Sequence, residues 1–488
     1  MHAPLRRGRQ RRRARPRRRG PYPDRLPRRG RGPGPETGLT PAPADWTGPV
    51  RAALSARLET GIDRPITVAL SGGGDSIALL RLAADWARAH GRPLLALTVD
   101  HGLSPDSARW TAFAEAAARA AGADWRSLVW TGPKPATGLP AAARRARHSL
   151  IADAARQAGA RVILFAHSAD DIAEGEVMRA EGSTLGRLRE WAPSPAWPAG
   201  RGLMLLRPML GAGRTEVRRW LTEQGAGWID DPANDDVRFA RSRARQILNL
   251  LPSGEGGARP AGAGWEDEGL RRQEPRLLPL GEGSLSIGRT IDAHTLAVAL
   301  VCVGGGDRPP RGDRLTALLE RLAFGADFAA TLCGARIEAR GDQVIVTREA
   351  GELARRPRPP LPLRPGVETV WDGRWAITVD SPGWVVVPAA GRMAALSEPD
   401  QAALRALPAA ARGGAPVLIR NDATAPVLAG RWARARSLVG ERLALALDRM
   451  THERDLGAAM HGASPRNPLF SDGTAERTAR ALRGTRRA

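Results

Sequence analysis

The sequence predicts an α/β protein: a doubly wound, mostly parallel sheet in the N-terminal half, followed by smaller α+β domains. Three observations carry this. Short apolar runs alternate with helical stripes over about 110 residues, the pattern of parallel strands covered by helices on both faces. The first run ends in "SGGGDS" (71–76), a glycine-rich turn that leads straight into a helix. Residues 252–275, rich in Gly, Pro and charge, then separate this half from sequence with hairpin patterning.

The strands are expected at 66–70 (ITVAL), 94–99 (LLALTV), 125–130 (WRSLVW) and 161–166 (RVILFA), runs too apolar for a sheet with one wet face. Between them, 76–90 sets Ile77, Leu80, Ala84 and Ala87 on one helical stripe, and 107–121 is alanine-rich. Residues 139–158 align Leu139, Ala143, Leu150, Ala154 and Ala158. A further helix begins at "RTEVRRWL" and stops near Gly225–Gly227. Residues 330–349 read as a hairpin turning at Gly341-Asp342, and 366–380 and 384–388 as strands. The expected division is a disordered tail at 1–40, a first domain at 41–251 that carries the glycine-rich turn, a linker at 252–275 and a middle domain at 276–352. A second linker at 353–365 and a partly β domain at 366–488 complete it.

At 488 residues the chain is too long for one core. It has no apolar run long enough to span a membrane as a helix. Of the formal charge of +23, +13 lies in residues 1–35. That tail cannot bury a core and lacks the apolar stretch of a secretory signal, so it reads as an RNA-grasping arm or an inert extension. Lys134 is the sole lysine among 74 basic residues. Ala, Gly and Pro are also abundant, so the arginine content reflects coding bias and says little about nucleic acid. Two cysteines, Cys302 and Cys333, exclude a disulfide scaffold and fit a reducing cytoplasm.

A strand ending in Ser-Gly-Gly-Gly before a helix suits an anion. Glycines let backbone N–H groups approach phosphate oxygens, and the helix N-terminus adds partial positive charge. Ser71 and Ser76 can donate hydroxyls, whereas Asp75 would repel phosphate unless Mg²⁺ stands between them. The loop is neither a Walker loop, whose lysine is missing here, nor GxGxxG.

"LSGGGDS" resembles the SGGxDS loop of the PP-loop ATP pyrophosphatases, which cleave ATP between the α and β phosphates and hold the pyrophosphate on that loop. Among them, further stretches resemble the tRNA(Ile)-lysidine synthetases. "VDHGL" (99–103) resembles their segment at the adenine and singles out His101. "GLPAAARRARHSLI" (138–151) resembles their N-L-E-x-x-A-R-x-x-R-Y and carries Arg144 and Arg147, with Pro140 and His148 departing. "AHSADDIAEG" (166–175) resembles their A-H-x-x-D-D-x-x-E-T and carries Asp171 and Glu174, with Gly175 in place of threonine. Residues 205–245 match at Arg207, Asp231, Asn234, Arg241 and Arg245, and depart at Ala233 and Ser242. The resemblance covers about residues 62–250.

It implies a cytoplasmic ligase that joins free L-lysine to C2 of the wobble cytidine of a CAU-anticodon tRNA(Ile). The reaction would pass through an adenylated base, using ATP and Mg²⁺. Catalysis would fall to Asp75, Asp171, Glu174 and Arg144. ATP would bind Ser71, Gly72, Gly73, Gly74, Asp75, Ser76 and His101, with Mg²⁺ at Asp75. The tRNA would meet Arg144, Arg147, Arg207, Arg241 and Arg245. Some members of the family dimerise, so a homodimer is admitted. Two alternatives stay open: amidation or thiolation of another base, and a catalytically degenerate RNA-binding protein. Thiolation fits less well, because it needs nucleophilic cysteines near the loop and the first cysteine is Cys302.

Overall fold

Strand β1 (Ile66–Ala69) occupies the middle of a six-stranded sheet in a computed structural model. The structure describes residues 45–183, 186–231, 240–250, 277–281, 283–357, 359–420, 425–447 and 449–456. The tail at 1–40, the linker at 252–275, and Ala233 and Asn234 lie outside the described residues.

Around β1 the chain lays down α1 (Thr47–Arg57), α2 (Gly74–Ala89), β2 (Leu94–Asp100), α3 (Ser107–Ala120), β3 (Asp124–Val129), α4 (Leu139–Gln157) and β4 (Val162–Leu164). Then follow α5 (Ala169–Ala180), β5 (Trp191–Pro193), β6 (Met204–Leu206), α6 (Arg214–Glu223) and α7 (Ala240–Leu250). The order is β3-β2-β1-β4-β6-β5, parallel except for the edge strand β5. All four sequence-predicted strands are present, but β4 is shorter than expected, and β3, expected to be buried, is an edge strand with most of its side chains exposed.

Alternation explains the apolar runs. Leu94, Ala96, Val162, Leu164, Met204 and Leu206 point into a core shared with α1 and α2. Their neighbours Leu95, Leu97, Ile163 and Leu205 point the other way, onto Ile151, Ala152 and Ala155 of α4. With both faces covered, the central strand positions are apolar except for buried Thr67 and Thr98. Each such side chain contributes about 1.5–3 kcal/mol by leaving water.

β1 pairs with β2 on one side and β4 on the other, so the winding reverses between β1 and β4. Loops leaving the carboxyl ends of these two strands diverge and leave a crevice, the place where open α/β sheets bind ligands. "SGGGDS" follows β1, and "AHSADD" follows β4.

The C-terminal half builds three antiparallel sheets. The first holds β7 (Leu277–Pro279), β8 (Leu285–Ile287), β9 (Phe328–Leu332), β10 (Ala335–Arg340) and β11 (Gln343–Arg348) in the order β7-β8-β11-β10-β9. It is covered by α8 (Ala293–Gly304) and α9 (Gly312–Phe324), neither of which the sequence reading anticipated. The hairpin turns at Gly341-Asp342 as expected.

Next come α10 (Ala350–Arg355), β12 (Leu361–Pro362), β13 (Thr369–Trp371), β14 (Trp375–Thr378), β15 (Trp384–Pro388), α11 (Glu398–Arg405) and α12 (Ala409–Arg412). The chain ends with β16 (Pro416–Arg420), β17 (Val427–Leu428), α13 (Ala429–Trp432), β18 (Arg434–Ser437) and α14 (Val439–Ala446). They form sheets β12-β15-β16-β17 and β13-β14-β18. The stretch 353–365, expected as a linker, is packed instead: it carries the end of α10, all of β12, and buried Leu353 and Leu363. Its prolines are tolerated because β12 is an edge strand.

The final described segment returns to the first sheet. Met450 and Leu456 join the core of α1 and α2. Buried Glu453 takes a two-pronged bond from buried Arg92, at 3.1 Å on each arm.

Candidate active site

The loop after β1 is shaped by backbone demands. Gly72 has φ +85°, and a Cβ there would stand 2.7 Å from Ile229 Cδ1, so only glycine fits. Ile229 N donates to Gly72 O at 2.9 Å, and Trp228 packs over Gly74. The tryptophan-containing segment before α7 thus holds the loop in shape. Ser76 Oγ donates to Gly73 O at 2.8 Å, and Ser71 N reaches Ser76 Oγ at 3.3 Å. The amides of Gly72, Gly74 and Asp75 meet no acceptor among the described residues. They are open donors at the N-terminus of α2, an arrangement that suits phosphate.

Asp75, in the first turn of α2, lies beside Arg214, whose Nε is 3.6 Å from its Oδ2. Burial raises the Asp75 carboxyl to about 6; Arg214 opposes this, and Asp171 and Asp170 add to it. No cluster of three metal-ligating side chains occurs among the described residues. Asp75 offers one carboxylate that would suit a Mg²⁺ ion carried on nucleotide phosphates.

α5 begins at Ala169, and Asp171 caps it by accepting from Ser168 N at 2.8 Å. Asp171 Oδ1 also meets Arg241 Nη2 at 3.0 Å. Glu174, one turn on, is fully buried and caged by three arginines. Arg214 Nη1 and Arg245 Nε donate to its Oε1 at 3.2 and 2.9 Å, and Arg241 Nε donates to Oε2 at 2.9 Å. Arg241 and Arg245, expected to face RNA, thus turn donors inward.

Arg207 is buried as well. Its Nη1 donates to Arg189 O at 2.8 Å and its Nε to His167 Nδ1 at 3.1 Å. Its expected role as an RNA contact gives way to an internal bond holding His167.

Arg144 and Arg147 differ. Neither makes an ion pair or hydrogen bond with a described residue, and Arg147 Nε is buried without a partner. Burial, then the charges of Arg144 and Arg241, push the Arg147 guanidinium down to about 10. His101, just past β2, has a buried Nδ1 without a partner. Burial and Arg147 hold its pKa below the usual histidine range.

One side of the crevice therefore holds carboxylates in ion pairs with arginines, and the other holds Arg144 and Arg147, which make no ion pair among the described residues and feel Asp171 only at longer range. Arg214 and His167 are the two residues sequence reasoning did not single out. His167 stands inside the motif that revealed Asp171, so its signal was present. Arg214 had none beyond its place at the start of a helix.

The glycine loop, the open amides and the crevice between β1 and β4 define a PP-loop nucleotide-binding domain, and the family model described as PP-loop domain matches residues 50–251. A tRNA(Ile)-lysidine synthase of Caulobacter vibrioides is 48% identical over 83% of this chain and 98% of its own length. One from Hyphomonas neptunium is 37% identical over 62% and 86%, and one from Mesorhizobium japonicum 36% identical over 70% and 79%. The chain belongs to the tRNA(Ile)-lysidine synthase family. Among solved structures, the U34-tRNA thiolase NcsA of Methanococcus maripaludis aligns at a TM-score of 0.37 and 17% identity. It covers 44% of this chain and 76% of its own, too remote to bear on the site.

Proposed function

We propose that the chain is a tRNA(Ile)-lysidine synthetase. It ligates lysine to C2 of the wobble cytidine of CAU-anticodon tRNA(Ile) through an adenylated base, and ATP becomes AMP and pyrophosphate. The supporting observation is the pairing of open loop amides beside Asp75 with an arginine-rich wall across the same crevice.

The leaving pyrophosphate gathers charge as the cytosine C2 oxygen attacks the α phosphate. The amides of Gly72, Gly74 and Asp75 then stabilise that charge without reorganising. Mg²⁺, when bound with ATP, lets Asp75 face the phosphates. Arg144 and Arg147 make no ion pair with a described residue and are therefore available to the α phosphate or the RNA backbone. His101, Ser71, Gly73 and Ser76 line the nucleotide end. Lysine's ε-ammonium then gives up a proton to Asp171, and the free amine attacks C2 and expels AMP. Asp171 receives the ammonium group, while Glu174, caged by Arg214, Arg241 and Arg245, holds that wall in register.

Thiolation is disfavoured by the cysteines. Cys302 is buried under the C-terminal sheet, and burial pushes its thiol up to about 12. No helix among the described residues is long and apolar enough to cross a membrane. The reading places the enzyme in the cytoplasm with its tRNA.

The test is ATP-dependent incorporation of labelled lysine into CAU-anticodon tRNA(Ile), with pyrophosphate and AMP released in equal amounts. No incorporation of lysine, or transfer of ammonia or sulfur instead, would overturn the reading.

A further inference from the structure

We propose that His167 is a fixed, neutral hydrogen-bond donor whose Nε2–H meets a phosphoryl oxygen of the bound nucleotide. This deepens the function proposed above and rests on it.

The tautomer follows from geometry. A guanidinium only donates, so Arg207 Nε, 3.1 Å from His167 Nδ1, obliges that nitrogen to accept. The ring proton must then sit on Nε2. The arrangement is braced. Arg207 is tied to Arg189 O by its side chain and to Glu190 O, at 2.8 Å, by its backbone N. The His167 ring lies 14° from parallel with Phe165 at 5.8 Å, and Phe165 also stacks with His148 at 5.1 Å. Nε2 itself meets no acceptor among the described residues.

The charge around the ring selects the missing partner. Around the ring stand Arg207 after β6, Arg144, Arg147 and His148 from α4, and Arg241 from α7; Asp171 of α5 acts on Arg144 and Arg147. Burial first, then these arginines, hold the imidazole down to about 2, so it stays uncharged throughout the working range. Four guanidiniums acting on the ring favour an anionic oxygen as its partner. His167 follows β4, next to the β1 loop, where the nucleotide phosphates belong. The guanidiniums supply charge, and the neutral ring supplies a directed hydrogen bond that no pH change near neutrality removes.

Two substitutions in the full-length protein separate this from a purely structural role. His167→Asn places an amide oxygen near the position of Nδ1, keeping the Arg207 contact and losing the outer donor. His167→Gln places an amide N–H near Nε2. The expected result is a fall of about 100-fold in pyrophosphate release for His167→Asn, with the KM for lysine unchanged, and a loss within about tenfold for His167→Gln. The reverse order, or equal losses in both, overturns the proposal. Should either variant melt early, the wild-type protein labelled with ¹⁵N-histidine decides. The His167 ring should remain in the Nε2–H form from about pH 5.5 to 9, and its Nε2 resonance should move on addition of ATP with Mg²⁺. A titrating ring or an unmoved resonance overturns it. Failure of the underlying function would show separately, as wild-type protein that makes no lysine-labelled tRNA.

Discussion

Arg92 and Arg147 are both buried arginines set against the same sheet, and they are treated in opposite ways. Arg92 lies at the amino end of β2. Its Nε donates to Arg64 O at 2.8 Å, it bonds Glu59 O, and its fork closes on Glu453. Arg147 lies near the carboxyl ends of the strands, with its Nε unpartnered and Arg144 and Arg241 repelling it. A closed ion pair fastens the end of the chain to the first core. An unmatched cation costs stability and persists where an anion is to be bound. In a chain whose basic residues are nearly all arginine, pairing separates architecture from function, and number does not.

Four variants probe this contrast, the largest effect first. Asp75→Asn should abolish ATP-dependent pyrophosphate release, by at least about 10³-fold, while tRNA binding stays near wild type. The same variant has a signed effect on stability. A carboxyl whose pKa is raised on folding favours the folded state below its unfolded value of 3.8 and loses that contribution as pH rises through about 6. In Mg²⁺-free buffer, Asp75→Asn should therefore stabilise the free protein at neutral pH by about 1–3 kcal/mol and leave it unchanged near pH 4. A loss of stability at neutral pH would contradict the burial argument.

Glu453→Ala should act on the other end. Leaving Arg92 buried and unmatched costs about 3–5 kcal/mol, read by denaturant melts, while KM for ATP holds in the folded fraction. Arg147→Met should do the reverse. It removes an uncompensated charge, raises the melting temperature slightly, and weakens nucleotide or tRNA affinity about tenfold, with a shallower salt dependence if RNA is the partner. Deleting residues 1–40 should change neither activity nor tRNA affinity if the tail is inert. A large loss of affinity would make it an arm.

Much of the first sheet was legible because its chemistry is local. Val68 and Leu97 had to be apolar once both faces were covered, and Gly72 had to be glycine in its turn. Asp171 and Glu174 were legible through the resemblance of "AHSADDIAEG" to the family motif, a short contiguous stretch. Their partners were not, because Arg214, Arg241 and Arg245 come from 40 to 71 residues away and no local pattern reports that distance. Helix α8 (AHTLAVALVCVG) is apolar nearly all round, so no amphipathic stripe marks it as a helix. The stretch 353–365 misled because prolines mark edge strands as well as linkers, and only the pairing of Leu361 with Val386 decides between the two.

The alternation of strand and helix, the phosphate-shaped turn and the identities of the charged groups beside it are written in the order of residues, because steric and hydrophobic rules act over a few positions at a time. Which arginines are neutralised, that Arg207 grips His167 instead of RNA, and that Glu453 seals the far end of the sheet emerge only once the chain is folded. Charge pairing acts through space, and what a buried guanidinium does depends on what the fold brings within about 4 Å of it.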